Sequence, residues 1–212
     1  MMAHINLAIL AGAMESIGRN CEFGLVQRRA GTDPLGLLRF ANAPLAALTH
    51  ALETRFQGIG TDMNFSVDST DEWIGEWRGM KFHSTRHRRN TSEQEVREQE
   101  ARRLPWLADK LMADLEAAEK LFVFSDCDRI DHEHAARLCQ AIRNIGEAKL
   151  LLVMADPASE PSVETHSDGL LVGFIPRLTP AHYAAEFDWP SWAQLLPLAF
   201  EAATMAQRNR VS

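Results

Sequence analysis

The chain is poor in cysteine, with only three among its 212 residues, at positions 21, 127 and 139. An odd, widely spaced set excludes a disulfide-stapled scaffold and fits unpaired thiols in a reducing cytoplasm. Long apolar runs are also missing, and no stretch approaches the roughly 18 residues that a membrane-spanning helix needs. The short apolar run within residues 1–14 has no basic segment before it and meets Glu15 where small residues would lead to a cleavage site, so it is not read as a signal peptide. Positive charge is not in excess: 22 Lys and Arg face 29 Asp and Glu, for a net charge of −7. An acidic surface argues against a general nucleic-acid binder. No glycine-rich phosphate motif is present, since residues 169–173 are too short and too apolar and the turn before Cys21 has neither nucleotide-binding spacing. Internal repeats and low-complexity tracts are absent as well.

What is present is ordinary globular composition, 46% hydrophobic and 24% charged, and it is read as one domain spanning residues 1–212. Residues 121–124 and 150–153 are short, wholly apolar runs separated by a helical pattern over about 132–145. That is a strand–helix–strand unit, and doubly buried strands of this kind pair in parallel through a right-handed crossover. Residues 170–175 add a strand, and the C-terminal part ends in a helix through Met205. Ser92 and Glu95 form a capping box for a helix through Ala118 with an apolar stripe of Leu104, Leu107, Leu111 and Leu115, and Pro105 predicts a kink or a division into two helices. Residues 37–40 read as a short buried strand, 65–83 as a β-hairpin with Trp73, Gly75 and Trp77 on one side, and 156–168 as an exposed loop. The fold class expected is α/β, a mixed and mainly parallel sheet flanked by helices, with an N-terminal cysteine-bearing helix and a β-hairpin.

Residues 16–24, Ser-Ile-Gly-Arg-Asn-Cys-Glu-Phe-Gly, set Cys21 after a glycine turn at the start of a helix. Asn20 is the expected N-cap and Gly31 the expected C-cap, following Arg28 and Arg29. Helix N-termini stabilise thiolates, which makes Cys21 a candidate nucleophile; the competing reading is a small buried apolar residue. A cysteine nucleophile needs a base and a group that orients the base. His83, at the end of a strand, is the candidate base, and Asp126 or Asp128, just beyond the 121–124 strand, is the candidate orienting carboxylate. The Cys21 backbone N–H and the Asn20 side chain are candidate oxyanion donors, with Gly18 supporting the turn.

Other clusters carry weaker chemistry. His83 and His87 have a spacing that chelates zinc on a helix, and Asp131, His132 and His134 form a second group, but neither has the pattern of a zinc enzyme and no metal or cofactor is expected. Arg86, Arg88 and Arg89 are a basic cluster able to meet an anionic substrate, with Arg86 and Arg89 taken as the substrate-binding candidates.

The segments Gly18-Arg-Asn-Cys-Glu-Phe-Gly24, Gln27-Arg-Arg-Ala-Gly31 and Leu37-Leu-Arg-Phe40 with Pro44-Leu45 resemble a bacterial family of unknown function described as papain-like cysteine peptidases. The resemblance covers most of residues 15–154 and implies Cys21 as nucleophile and His83 as base. Members commonly carry Pro-Phe-Asp-Trp where this chain has Arg39-Phe-Ala-Asn42, so the aspartate of that stretch has no counterpart. The leading expectation is a cytoplasmic cysteine-dependent hydrolase or acyl-transfer enzyme acting on a peptide, amide or related acyl bond of a small-molecule or peptide substrate. Two alternatives stand beside it: a non-catalytic binding or accessory module in cell-surface polysaccharide biosynthesis, and a transferase holding an anionic donor on Arg86, Arg88 or Arg89.

Overall fold

A computed structural model describes residues 6–19, 21–127 and 130–211, the side chains of 132, 181–182 and 206–211 excepted. Helix α1 (Leu7–Gly12) leads into β1 (Met14–Ser16), and a short turn then opens α2 (Glu22–Ala30). After the two-residue β2 (Ala41–Asn42) comes α3 (Leu45–Glu53), followed by β3 (Asn64–Val67), β4 (Glu72–Trp77) and β5 (Met80–His87). The long α4 (Glu93–Ala117) then leads to β6 (Leu121–Ser125), α5 (His132–Arg143), β7 (Lys149–Ala155), β8 (Ser162–Ser167), β9 (Leu170–Ile175) and α6 (Trp189–Val211).

Two sheets result. The first has five strands in the order β1-β6-β7-β9-β8, with β1, β6, β7 and β9 parallel and β8 antiparallel to β9. The second has four antiparallel strands in the order β2-β5-β4-β3. The α/β class and the parallel strand–helix–strand unit are as expected.

Alternation along the central parallel strands builds two cores. Phe122, Phe124, Leu150 and Leu152 face one side, where they join α3, α4, α5 and the inner face of the antiparallel sheet through Trp77, Met80 and Phe82. Val123, Leu151, Val153 and Leu171 face the other side and meet Phe23 and Val26 of α2 and Trp192, Leu195 and Leu196 of α6. Both faces of the parallel strands are therefore covered, as a parallel sheet requires.

Four local expectations are corrected. Residues 37–40 form a turn instead of a strand, because the buried Arg39 donates to Pro34 O and Gly24 O, each at 2.9 Å, and wraps the segment around α2. The expected hairpin is a three-stranded meander, with Trp73, Gly75 and Trp77 buried on one side as expected. Within the expected loop 156–168, Ser162–Ser167 pairs with β9 as an edge strand whose mostly exposed polar side chains hide it from a hydrophobic pattern. Pro105 divides nothing: α4 runs as one helix, opened by the Ser92–Glu95 capping box.

Candidate active site

Cys21 is the N-cap residue of α2, half-buried and with no side-chain hydrogen bond back to its own helix. The expected N-cap, Asn20, lies outside the described residues. Two features hold the turn over the carboxyl ends of β1 and β6. Ile17 N–H donates to Val123 O at 2.9 Å, and Gly18 packs so closely on Ser125 that an added Cβ would stand 3.2 Å from the Ser125 nitrogen. Within α2, Gly24 meets residues 39–40 without room for a side chain, since a Cβ there would lie 2.7 Å from Arg39 O and 2.8 Å from the Phe40 ring. Gly31 ends the helix at φ 96° in the left-handed region, as its expected capping role demands.

Glu22 anchors the same turn from beneath. Its fully buried carboxylate accepts from Trp192 Nε1 at 2.8 Å and from Thr179 N at 2.7 Å. Burial pushes its pKa up, against the pull of those two donors and of the nearby Arg177 charge. The nucleophile-bearing end of α2 is thereby tied to α6 and to the segment after β9.

The base comes from the other sheet. His83 lies on the outer face of β5, opposite Ile74 of β4, which is in turn opposite Ser66 of β3. Its side chain lies close enough to that of Cys21 for the two to interact, and its Nδ1 stands 3.0 Å from Glu72 Oε2. With Nδ1 committed to Glu72, Nε2 is the ring nitrogen left for the sulfur. Glu72 is itself held, because its Oε1 accepts from Thr85 N–H at 2.8 Å.

A β-bulge makes that grip possible. Glu72 pairs with His87 and Ile74 with His83, so residues 84–86 oppose Trp73 alone. Thr85 sits at φ 60°, which turns its N–H toward Glu72, and buried Ser84 closes the loop by accepting from Arg86 N–H at 3.1 Å.

These contacts set the charge on His83. Its pKa is pushed up to about 9, chiefly by the hydrogen bond with Cys21; burial opposes this, and the hydrogen bond and charge of Glu72 add to it. The imidazole is therefore a cation at neutral pH. Asp68 also faces this charge. Burial works to raise its pKa, but hydrogen bonds from Glu72 N–H, Thr70 Oγ1 and Thr70 N–H, with help from the His83 charge, hold it below the ordinary carboxylate value.

Cys21 and His83 open onto one cleft of about 360 Å³, also lined by Ala41, Asn42, Ser66, Asp68, Ile74 and Lys81. It lies where the start of α2 meets the outer face of the antiparallel sheet.

The candidates named from sequence are thus only partly gathered here. Cys21 and His83 meet, but the carboxylate on His83 Nδ1 is Glu72, whereas the buried Asp126 pairs with Arg19 at 3.4 Å. Asp128 is outside the described residues. Arg86 turns to Gln99 of α4 at 3.0 Å, and neither it nor Arg89, whose backbone N–H donates to Asp71, lines the cleft, whereas Lys81 does. Glu72 carried no sequence signal, because its approach to His83 depends on the bulge.

For metal chemistry, His83 and His87 lie on a strand and not on a helix, and Asp131 is occupied as the N-cap of α5, accepting from His134 N–H at 2.9 Å. The set that could hold an ion among the described residues is Asp68, Glu72 and His83, whose ligand atoms lie within 4.8 Å of one another. An ion there would compete with the proton shared by Glu72 and His83.

Fold and site together define an α/β protein with a cysteine–histidine–glutamate constellation in an open cleft. No protein-family model matches the chain, no curated protein is significantly similar to it, and no solved structure matches it.

Proposed function

We propose that the protein is a cysteine-dependent hydrolase or acyl-transfer enzyme acting on a peptide, amide or related acyl bond. The observation that carries this reading is His83, which shares a solvent-open cleft with the interacting Cys21 side chain and is hydrogen-bonded through Nδ1 to Glu72. A nucleophile, a base and a positioning carboxylate in series form the arrangement by which thiol enzymes activate sulfur. Cys21 attacks the acyl carbon, His83 as imidazolium faces the sulfur and then protonates the leaving group, and Glu72 keeps Nε2 aimed. The resemblance of the Cys21 segment to papain-like peptidases points the same way. A mixed polar and apolar cleft of this size suits a peptide or small-molecule acyl donor, and a free-thiol nucleophile suits a reducing cytoplasm.

The test is chemical labelling of each cysteine with iodoacetamide across pH, read by peptide mass spectrometry, in wild type and His83→Ala. Fast labelling of Cys21 at neutral pH that slows in His83→Ala supports the reading. If Cys21 stays inert in the folded protein, or labels equally in both, the constellation is structural and the accessory-module reading replaces this one.

A further inference from the structure

The cleft holds a polar side chain that the constellation of Cys21, His83 and Glu72 leaves unused. Asn42 lies on β2 directly opposite Lys81 of β5. Residues opposite one another in an antiparallel pair share a face, so Asn42 lies on the face that carries Lys81 and, two residues on, His83. Asn42 is thus a diagonal neighbour of the base, a separation of roughly 7–8 Å between backbones. It lines the same cleft as Cys21 and His83 and is half-buried. Among the described residues its side-chain amide, which offers two donors, has no hydrogen-bond partner and is open to the cleft it lines.

The neighbouring charges give this amide its use. Asp68 and Glu72 are acceptors committed to backbone N–H groups and to His83. Acyl transfer creates a new negative oxygen next to the sulfur, and that oxygen needs donors fixed in advance. Cys21, which lines the cleft at the start of α2, does not use its side chain to cap the helix, and its own backbone N–H belongs to the N-terminal end of that helix.

We infer that the Asn42 side-chain amide is an oxyanion donor of this site, an inference that rests on the acyl-transfer reading of Cys21 and His83. The Cys21 sulfur forms a bond to the acyl carbon, and the carbonyl π pair moves onto oxygen. The Asn42 Nδ2–H group and the Cys21 backbone N–H hold that oxygen. Collapse restores the carbonyl and expels the leaving group with its bonding pair, to which the His83 imidazolium gives its proton, leaving the ring neutral. Water then attacks the thioester, His83 takes the water proton and passes it to the departing sulfur, and the free thiol and carboxylic acid are released.

Two probes separate this role from the rest of the site. p-Nitrophenyl acetate acylates the thiol through a tetrahedral oxyanion, whereas iodoacetamide alkylates it by direct displacement and develops no oxyanion. In Asn42→Ala, the p-nitrophenolate burst from Cys21 should slow by about 10²-fold while Cys21 alkylation stays within about twofold of wild type. Asn42→Asp, which preserves size and removes the donors, should lose at least as much of the burst, so a packing defect from truncation cannot imitate the result. An unchanged burst in either variant overturns the inference, and so does an equal slowing of both probes, which would place Asn42 among the groups that support the thiol. Failure of the parent reading looks different: alkylation of Cys21 would then be indifferent to His83→Ala.

Discussion

His83 Nδ1 and Glu72 Oε2 stand 3.0 Å apart across β4 and β5, and this contact makes Glu72 the carboxylate that orients the imidazole. Asp126 is buried against Arg19 at the end of β6. The two carboxylates therefore separate by experiment. His83→Ala should lower turnover of a p-nitrophenyl ester by roughly 10²–10⁴-fold. Glu72→Gln should lower kcat by a smaller factor with little change in KM, and Asp126→Asn should leave kcat close to wild type. Steady-state kinetics of the three variants checks this ordering, and equal losses in Glu72→Gln and Asp126→Asn would refute it.

The protonation of His83 has its own signature. Its pKa in the folded chain, about 9, lies above the ordinary 6.5, so folding strengthens its hold on the proton. The stabilisation this supplies is complete below pH 6.5 and disappears as pH rises through 9. Thermal melts should show a wild-type loss across that window that His83→Gln lacks. Because Cys21 is the largest cause of the shift, the imidazole resonances in Cys21→Ala should titrate at lower pH than in wild type. An unmoved midpoint would show that the sulfur does not bond to the ring.

Arg103 steadies His83 from α4. Its Nη2 donates to His83 O at 3.1 Å, while the same guanidinium grips the buried Glu100 at 2.7 Å. Burial raises the pKa of Glu100, and Arg103 opposes this. Arg103→Ala should destabilise the protein by about 1–3 kcal/mol, leaving a buried carboxylate without its cation. Replacing both residues, as in Glu100→Leu with Arg103→Leu, should cost less than Arg103→Ala alone. Urea denaturation measures the difference, and additive losses would contradict the pairing.

Glu22 offers a test of the turn that carries Cys21. Glu22→Ala would leave Trp192 Nε1 and Thr179 N–H, both buried, without their acceptor. With about 1–3 kcal/mol for each orphaned group, a loss of about 2–6 kcal/mol is expected in chemical denaturation. Cys21 alkylation should also slow under native conditions, because the start of α2 loses its anchor to α6. Retained stability would mean that Glu22 is not the tie between these elements.

Much of the scaffold could be read from local chemistry. The capping box at Ser92 and Glu95, Gly31 at the end of α2, and the apolar runs of β6 and β7 each carry their meaning within a few residues. Cys21 and His83 were visible for the same reason, as a thiol at a helix start and a histidine on a strand. Glu72 was not, because a bulge and the left-handed Thr85 bring its carboxylate to the ring, and a regular ladder would not. Arg39 misled in the opposite direction: an apolar-looking stretch became a turn once its guanidinium sought buried carbonyl oxygens. The edge strand β8 escaped notice because its mostly polar side chains face water and carry no apolar pattern, although its partner β9 follows directly in the chain.

The sulfur rides on the helix that follows the first parallel strand, while the imidazole and its carboxylate ride on the antiparallel meander. No single element contains a working pair. The length of the sulfur–imidazole contact is therefore a gauge of how the two sheets are seated on their shared core of Trp77, Phe82, Leu104 and Phe124. A slip of a fraction of an ångström in that seating, whether from a core substitution or from a ligand wedged between the sheets, would uncouple base from nucleophile while every strand stayed intact.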